Sequence, residues 1–564
     1  MILLNPKEHS RPYPDERSRK IMLKTIEFFE RKGKARIKED YHARVWYSDF
    51  LDFVKEEKIF ATMCTPAGNG AADSRWDTWR VCEFAEILGF YGLQYWYTYQ
   101  VTVLGLGPIW MSHNEAIKKR AARALDKGGI FAFGLSEREH GADVYSTEMT
   151  LTPSGDGTYS ASGSKYYIGN GNKAAIVSVF GKLADSGDYV FFGVDSQHEH
   201  YKLIKNVCAS QNYVSEFALE DYPIEESDII AKGEHAWNSA LNTVNIGKYN
   251  LGWASIGMCT HALYEAIRHA SNRQLYGMCV TDFPHVRQLF TDAYARLTAM
   301  KLFALRAADY MRVASAEDRR YLLYNPMVKM KVTTQGEDVM NLMWDVIAAK
   351  GFEKDMFFEQ AAVDIRALPK LEGTVHVNIA LIVKFMANYF FAPADFPELA
   401  QQSQAANDDF LFDQGPTKGL GRIRFHDYNI AYSSRDTANL RVFREQIAAF
   451  KEMLFAAPPD ESQRKDIDFL LAGGEIFALV VYGQLILENA NIYDVSDDLL
   501  DQIFDFMVRD FSRHALNLYS KPSSNETQMK ACQKMIRKPV FDAERYERVW
   551  QQVHDLRDAY EMNP

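Results

Sequence analysis

A single glutamate, Glu372, stands in the stretch LPKLEGTVHV (368–377), ahead of the apolar run VNIALIVKFMANYFF, whose one charge is Lys384. Two chemistries fit a carboxylate there. In one it is a helix-start residue, a first-turn carboxylate favoured by the helix dipole, with Thr374 as the cap. In the other it is a general base in an apolar cleft, where partial burial raises its pKa and makes it a better proton acceptor. Val377, Leu381, Lys384 and Phe385 predict a mostly buried helix beyond it. Other chemistry-bearing groups are sparser. GLGR (419–422), near Lys418 and Arg424, has the composition of a phosphate-contacting turn but reads as a solvated one. His198 and His200 in QHEHYK would share a strand face, yet no third ligand accompanies them, so a surface pair and no metal site are expected. No Gly-rich dinucleotide loop follows a strand, and GxxxxGK[ST], HExxH and GxSxG are absent.

Positioning these groups requires a frame, and the chain reads in four parts. Residues 1–132 place apolar side chains at three- and four-residue spacing in SRKIMLKTIEFFERKGK and WDTWRVCEFAEILGFYGLQYWYTYQ, an N-terminal helical domain. Over 133–235 the period changes. TLTPSGDGTYSASGSKYYI predicts a hairpin turning at Ser-Gly-Asp-Gly, and AAIVSVFGKL and DYVFFGVDS predict further strands, a middle β domain. Residues 236–395 return to long helices with short joins, a bundle. Residues 396–564 enter through the polar loop DDFLFDQGPTKGLGRIRFHDY and continue as a helical extension.

Composition narrows the function classes. The chain has 564 residues, 47% apolar and 25% charged, which is globular and large enough for several cores. Its formal net charge of −11 argues against a nucleic-acid track. Six cysteines without CxxC or metal-ligand spacing suggest reduced thiols and a cytoplasmic setting. The N-terminal MILLNPKEHSRPYPDERSRK has no apolar signal core, and apolar stretches such as IFALVVYGQLIL are expected to fall short of a membrane span.

Four passages in register carry a family resemblance: FAFGLSEREHGADV (131–144), GSKYYIGNG (163–171), HASNRQLYG (269–277) and RALPKLEGTVHV (366–377). Together they resemble the acyl-CoA dehydrogenase family. Its signatures are a Leu-Ser/Thr-Glu run ending in Gly-Ser/Ala-Asp, a Gly-x-Lys before an aromatic–Ile pair, Asn/Glu-Arg-x-x-Phe-Gly, and a Glu-Gly-Thr carrying the catalytic base. The likeness covers residues 1 to about 395. The remainder is similar in length and character to the extra helical domain of the long-chain and very-long-chain branch. The implied fold is multidomain α and β: N-terminal helical domain, middle β-barrel domain, helical bundle and helical extension.

The resemblance implies FAD-dependent α,β-dehydrogenation of an acyl-CoA thioester to a trans-2-enoyl thioester, as in fatty acid β-oxidation. Glu372 is then the base for the α-proton, and hydride passes to flavin N5. In the family the thioester carbonyl is held by the flavin ribityl hydroxyl and by the backbone N–H of the base, with Gly373 allowing close approach. Cofactor contacts are implied for Phe133, Leu135, Ser136, Ala142, Tyr167, Ile168, Gly169, Asp345, Ala348, Ala349, Thr374 and His376. Arg273 and Tyr276 would reach the FAD of a neighbouring subunit, so a homodimer is implied, with an electron-transfer flavoprotein as acceptor. Ala142, Lys248 and Gly373 are implied on the substrate side. An acyl-CoA oxidase and a non-catalytic flavin-binding module are the alternatives. Several positions depart from the family. Tyr167-Ile168-Gly169 replaces the usual Trp-Ile-Thr, Ala348-Ala349 a Gly-Gly, and Ala142 a frequent Ser. Lys248 and Ile379 stand where Arg is common.

Overall fold

A computed structural model describes residues 2–8, 12–155 and 157–564. The chain divides into two compact units. The first comprises residues 1–8, 251–402 and 419–561; the second comprises 9–250, 403–418 and 562–564.

The second unit couples helices to one sheet. Helices Thr78–Tyr91 and Leu93–Met111 are buried almost throughout. Their mixed apolar and aromatic composition gives no polar face, as befits a core helix. The sheet has eight strands: β1 (Phe131–Gly134), β2 (Thr150–Pro153), β3 (Thr158–Gly169), β4 (Ile176–Leu183), β5 (Tyr189–Val194), β6 (Tyr201–Asn206), β7 (Val214–Glu225) and β8 (Ile229–Lys232). Their order is β6-β7-β3-β2-β4-β5-β8, with β1 parallel to β4. The expected hairpin is β2–β3, pairing Thr150 with Ser162 and Pro153 with Tyr159; Asp156 of its turn lies outside the described residues. AAIVSVFGKL and DYVFFGVDS supply β4 and β5, which are antiparallel. Inward residues Leu151, Ala161, Val177, Val179, Phe192, Phe217 and Leu219 make the core. Helix Leu93–Met111 lies against β1, where a Cβ at Gly105 would fall 2.6 Å from the Ala132 nitrogen. Only glycine permits that approach.

The first unit is helical apart from a short hairpin. Helices Asn250–Asn272 and Pro284–Arg312 are followed by a continuous helix. It runs as Tyr321–Met327, widens to a π-turn over Val328–Val332, and resumes over Thr333–Ile347. Helix Val375–Ile382 continues through a tight turn into Met386–Phe391. The extension adds Ala438–Ala456, Ile467–Ile492, Asp497–Tyr519, Glu526–Met535 and Ala543–His554. Two expectations are corrected. The buried face after Glu372 is Asn378, Ile379, Ile382, Phe385, Tyr389 and Phe390, whereas Val377 and Lys384 are exposed. A run apolar at nearly every position, with Asn378 itself buried, carries too little polar contrast from which to choose a face. The helix Ile467–Ile492 is also long and apolar enough to cross a membrane by length and composition, although most of it is buried in its own unit, as a core helix is.

Candidate active site

Thr374 caps the helix that begins at Val375, its hydroxyl accepting from the Val377 N–H at 3.4 Å. Glu372 therefore lies two residues before the cap and not in the first turn, so a simple helix-start carboxylate does not describe it. Its φ is 52° and that of Gly373 is 84°. A left-handed conformation costs a non-glycine residue about 1–2 kcal/mol, and such strain concentrates where function holds it in place. Glu372 is half-buried and its Oε2 is enclosed. At Gly373 a Cβ would meet nothing nearer than Asn378 Nδ2 at 3.3 Å, so within the chain it is the turn's positive φ that calls for glycine. Two side chains hold the turn. Asn378 Nδ2 donates to the Gly373 carbonyl at 3.1 Å. The fully buried Lys329 donates to the Pro369 carbonyl at 2.6 Å and to that of Gly373. His376 is exposed.

In the second unit, the segments 131–137 and 163–169 are laced together. The Ser136 carbonyl accepts from the Tyr166 N–H at 3.0 Å, and the Ser136 hydroxyl donates to the Tyr166 carbonyl at 2.9 Å. Lys165, with no exposed surface, donates to Glu137 at 2.7 Å, to the Leu135 carbonyl at 2.9 Å and to the Thr147 hydroxyl at 3.2 Å. Burial pulls the Lys165 pKa down to about 8, against the opposing pull of Glu137. Burial also works against the Glu137 charge, but Lys165, Thr147 and the Glu148 N–H outweigh it and its pKa is lowered. A bulge between Tyr166 and Ile168 puts Tyr167 at φ 69° and leaves the residue 44% exposed, while Ile168 packs inward. Phe133 stacks on Phe191 with centroids 5.9 Å apart. Ala142 sits in an exposed loop, and Lys248 is buried at the end of helix Gly233–Gly247.

Two further features belong to the first unit. Arg273 precedes a two-stranded hairpin, Gln274–Leu275 with Met278–Cys279, turning on Tyr276 and Gly277, both at positive φ. Arg273 is exposed, as are Leu275, Tyr276 and Met278, Tyr276 almost completely. The backbone after Asp345 reaches φ 57°, ψ −143° at Ala348, a region that favours glycine. Asp345, Ala348 and Ala349 are all exposed.

Residues 235–387 match the family model for the acyl-CoA dehydrogenase C-terminal domain. The short-chain specific acyl-CoA dehydrogenase of Megasphaera elsdenii is 23% identical over 290 residues, 50% of this chain and 76% of that protein. The caffeyl-CoA reductase–Etf complex subunit CarC of Acetobacterium woodii is 24% identical over 320 residues, covering 53% and 79%. In fold, an acyl-CoA dehydrogenase from Bacillus anthracis complexed with FAD superposes with a TM-score of 0.77 at 16% identity, covering 98% of this chain and 96% of that one. Residues 235–387 thus carry the acyl-CoA dehydrogenase C-terminal domain, and the chain as a whole has the acyl-CoA dehydrogenase fold.

Within an acyl-CoA dehydrogenase framework, the departures acquire physical reasons. Gly169 has no room for the usual Thr: a Cβ there would lie 2.6 Å from Val101 Cγ1 and 2.8 Å from the Tyr97 ring. Ala348 keeps a glycine-like backbone without being glycine. Ile379 is buried and packs against Gly474 of the extension, where a Cβ would lie 2.4 Å from its Cγ2; an Arg would not fit. The structure brings Leu135, Ser136 and Tyr166–Gly169 together in one unit, and Glu372, Gly373 and Thr374 in one turn of the other. Sequence reasoning missed Glu137 and Lys329. The Lys of GSKYYIG was a usable signal for the first, since a lysine inside an apolar strand needs a buried partner. Nothing in NPMVKMKVTT marks Lys329.

Proposed function

We propose that this chain is an FAD-dependent dehydrogenase of acyl-CoA thioesters in which Glu372 is the base. One observation carries the reading. A glutamate is held in a left-handed turn with an enclosed carboxylate oxygen, inside the stretch that matches the acyl-CoA dehydrogenase C-terminal domain. A helix-start carboxylate needs neither the strain nor the enclosure.

The residues present fit the cofactor. Tyr167 is partly exposed at the bulge next to Tyr166, whose carbonyl engages the Ser136 hydroxyl hydrogen and leaves the Ser136 oxygen free to act as an acceptor. Ala348 retains the backbone turn at which a glycine would expose peptide groups to a dinucleotide. Phe133, Leu135, Ser136, Tyr167 and Ile168 would hold the isoalloxazine, and Asp345 to Ala349 the distal part of a second copy's FAD. FAD, when bound, supplies the hydride acceptor for the β-carbon. Glu372 takes the α-proton at its carboxylate, and the product is the trans-2-enoyl thioester. Arg273 and Tyr276, on an exposed hairpin with Leu275 and Met278, suit a contact with a second copy, and the proposed assembly is at least a homodimer. An electron-transfer flavoprotein is the proposed acceptor, supported by the relative described as a subunit of a reductase–Etf complex. All six cysteines are free, which suits the reducing cytoplasm proposed as the setting.

Anaerobic mixing of the flavin-loaded protein with a panel of saturated acyl-CoA thioesters should bleach the oxidised-flavin absorbance at about 450 nm. Glu372→Gln keeps the size of the side chain but cannot take a proton. It should retain flavin and bind thioester while bleaching about 10²–10⁴-fold more slowly. Bleaching within a few-fold of the parent would remove Glu372 from the base role, and peroxide release during turnover in air would assign an oxidase.

A further inference from the structure

We propose that Lys329 is a positioning residue for the base: its buried ammonium fixes the turn that carries Glu372. This rests on the reading of Glu372 as the base. The Lys329 side chain has no exposed surface and lies in the π-turn Val328–Val332. Its Nζ donates to the Pro369 carbonyl at 2.6 Å and to the Gly373 carbonyl. Those acceptors bracket Glu372, three residues before it and one after. An ammonium has three donors and no acceptor, so one group ties both ends of the same turn, and charged hydrogen bonds of this type are the stronger kind.

The π-turn is what delivers it. A π-turn adds a residue to one turn of a helix and shifts the facing of everything beyond it, and such turns gather at functional sites. Room for the wider turn comes from Gly252, where a Cβ would lie 2.5 Å from Val328 Cγ1 and 2.7 Å from the Val328 carbonyl oxygen. The Thr333 hydroxyl donates back to the Lys329 carbonyl, a bond that closes the turn from within. Two lysines leave the turn in different roles. Lys331 is also buried, and burial lowers its pKa although Asp510, Glu475 and Asp338 oppose that. Lys329 instead meets the carbonyls beside Glu372. The left-handed φ of Glu372 is unfavourable on its own, so the turn depends on an external tie. Displacing a reacting group by about 1 Å costs on the order of 10²-fold in rate.

The test uses the full-length, FAD-loaded protein with Lys329→Met, close in length but without donors, and Lys329→Gln, shorter but able to donate. Flavin content, far-UV circular dichroism, anaerobic flavin reduction and amide exchange in peptides spanning 366–378 are measured. In Lys329→Met, exchange in those peptides should quicken at least about tenfold, and the limiting flavin-reduction rate should fall by about 10–100-fold. The half-saturating thioester concentration should stay within about threefold, because the tie acts on the base and not on substrate affinity. Lys329→Gln should recover part of the rate. A Lys329→Met rate within twofold of the parent, or unchanged exchange, would overturn the proposal. So would loss of the fold in both variants, which would make Lys329 a core residue. A parent protein reduced by no thioester would instead refute the reading of Glu372 on which this rests.

Discussion

Replacing Glu137 by Gln leaves the Lys165 ammonium inside the second unit with its countercharge gone. Lys165 is completely buried and Glu137 is 7% exposed, so water does not take over the missing role. Breaking a buried pair from one side costs about 3–5 kcal/mol. The lysine escapes that by losing its proton, which from a folded value of about 8 costs about 1.36 × 1, or roughly 1.4 kcal/mol, at pH 7. The escape is the cheaper route, so the expected loss at neutral pH is about 1–1.5 kcal/mol. Its pH dependence has a definite sign. A lysine whose folded pKa is depressed binds fewer protons folded than unfolded, so stability rises with pH between the two values. In the parent that window opens at about 8. In Glu137→Gln it opens lower, so the gap between the two chains should narrow by about 1.4 kcal/mol per pH unit up to the parent's value, and stay constant above it. Glu137, whose folded pKa is lowered from 4.5, stabilises the parent at neutral pH, and that contribution is lost as the pH falls through the lowered value. Adding Lys165→Met to Glu137→Gln removes the stranded charge and should recover at least half the loss. Urea unfolding followed by circular dichroism, with amide exchange in the strand Thr158–Gly169 as the local readout, is measured for the parent, Glu137→Gln, Lys165→Met and the double variant. A Glu137→Gln loss under about 0.5 kcal/mol at pH 7, or a double variant no more stable than the single, would refute this account of the pair.

Two other perturbations probe the first unit. Ala348→Gly should stabilise it by about 0.5–1 kcal/mol, the relief of a positive φ exceeding the added freedom of glycine in the unfolded chain, read as a higher urea midpoint; a lower midpoint would show that the Ala348 backbone carries no strain. Gly474→Ala places a methyl 2.4 Å from Ile379 Cγ2 and 2.8 Å from Val383 Cγ2, which should cost about 1–3 kcal/mol by overpacking and be largely rescued by Ile379→Ala in the same unfolding assay.

What could be read from the sequence divides along physical lines. Helices were legible wherever apolar spacing had polar residues to contrast with, and the β2–β3 hairpin was legible from its Gly-rich turn. Thr374 as a cap followed from its place before an apolar run, because capping is local. The conformation of Glu372 was not legible: nothing local favours a left-handed glutamate, and the groups that impose it, Lys329 and Asn378, act through the folded structure. The buried face of 375–391 was hidden for the opposite reason, since apolar residues occupy nearly every position. The reason for Gly169 was out of reach because it lies in Val101 and Tyr97, about seventy residues away in a helix whose packing no spacing reveals.

The extension then explains the helix that follows Glu372. A helix apolar on nearly every side cannot stand with one face covered unless a close-fitting neighbour covers it. Here the neighbour is Ile467–Ile492, itself apolar enough to suggest a membrane segment, and the two meet where Gly474 admits Ile379 and Val383. Each helix accounts for the apolar character of the other. The contact lies along the second and third turns after Thr374, so a displacement of Ile379 is felt at the cap and hence at the Glu372 turn. On the other side that turn is held by Lys329 through the Pro369 and Gly373 carbonyls. Packing from the extension fixes the helix, and hydrogen bonding from the bundle fixes the loop; the glutamate lies at their junction, where neither alone would hold a left-handed residue in place.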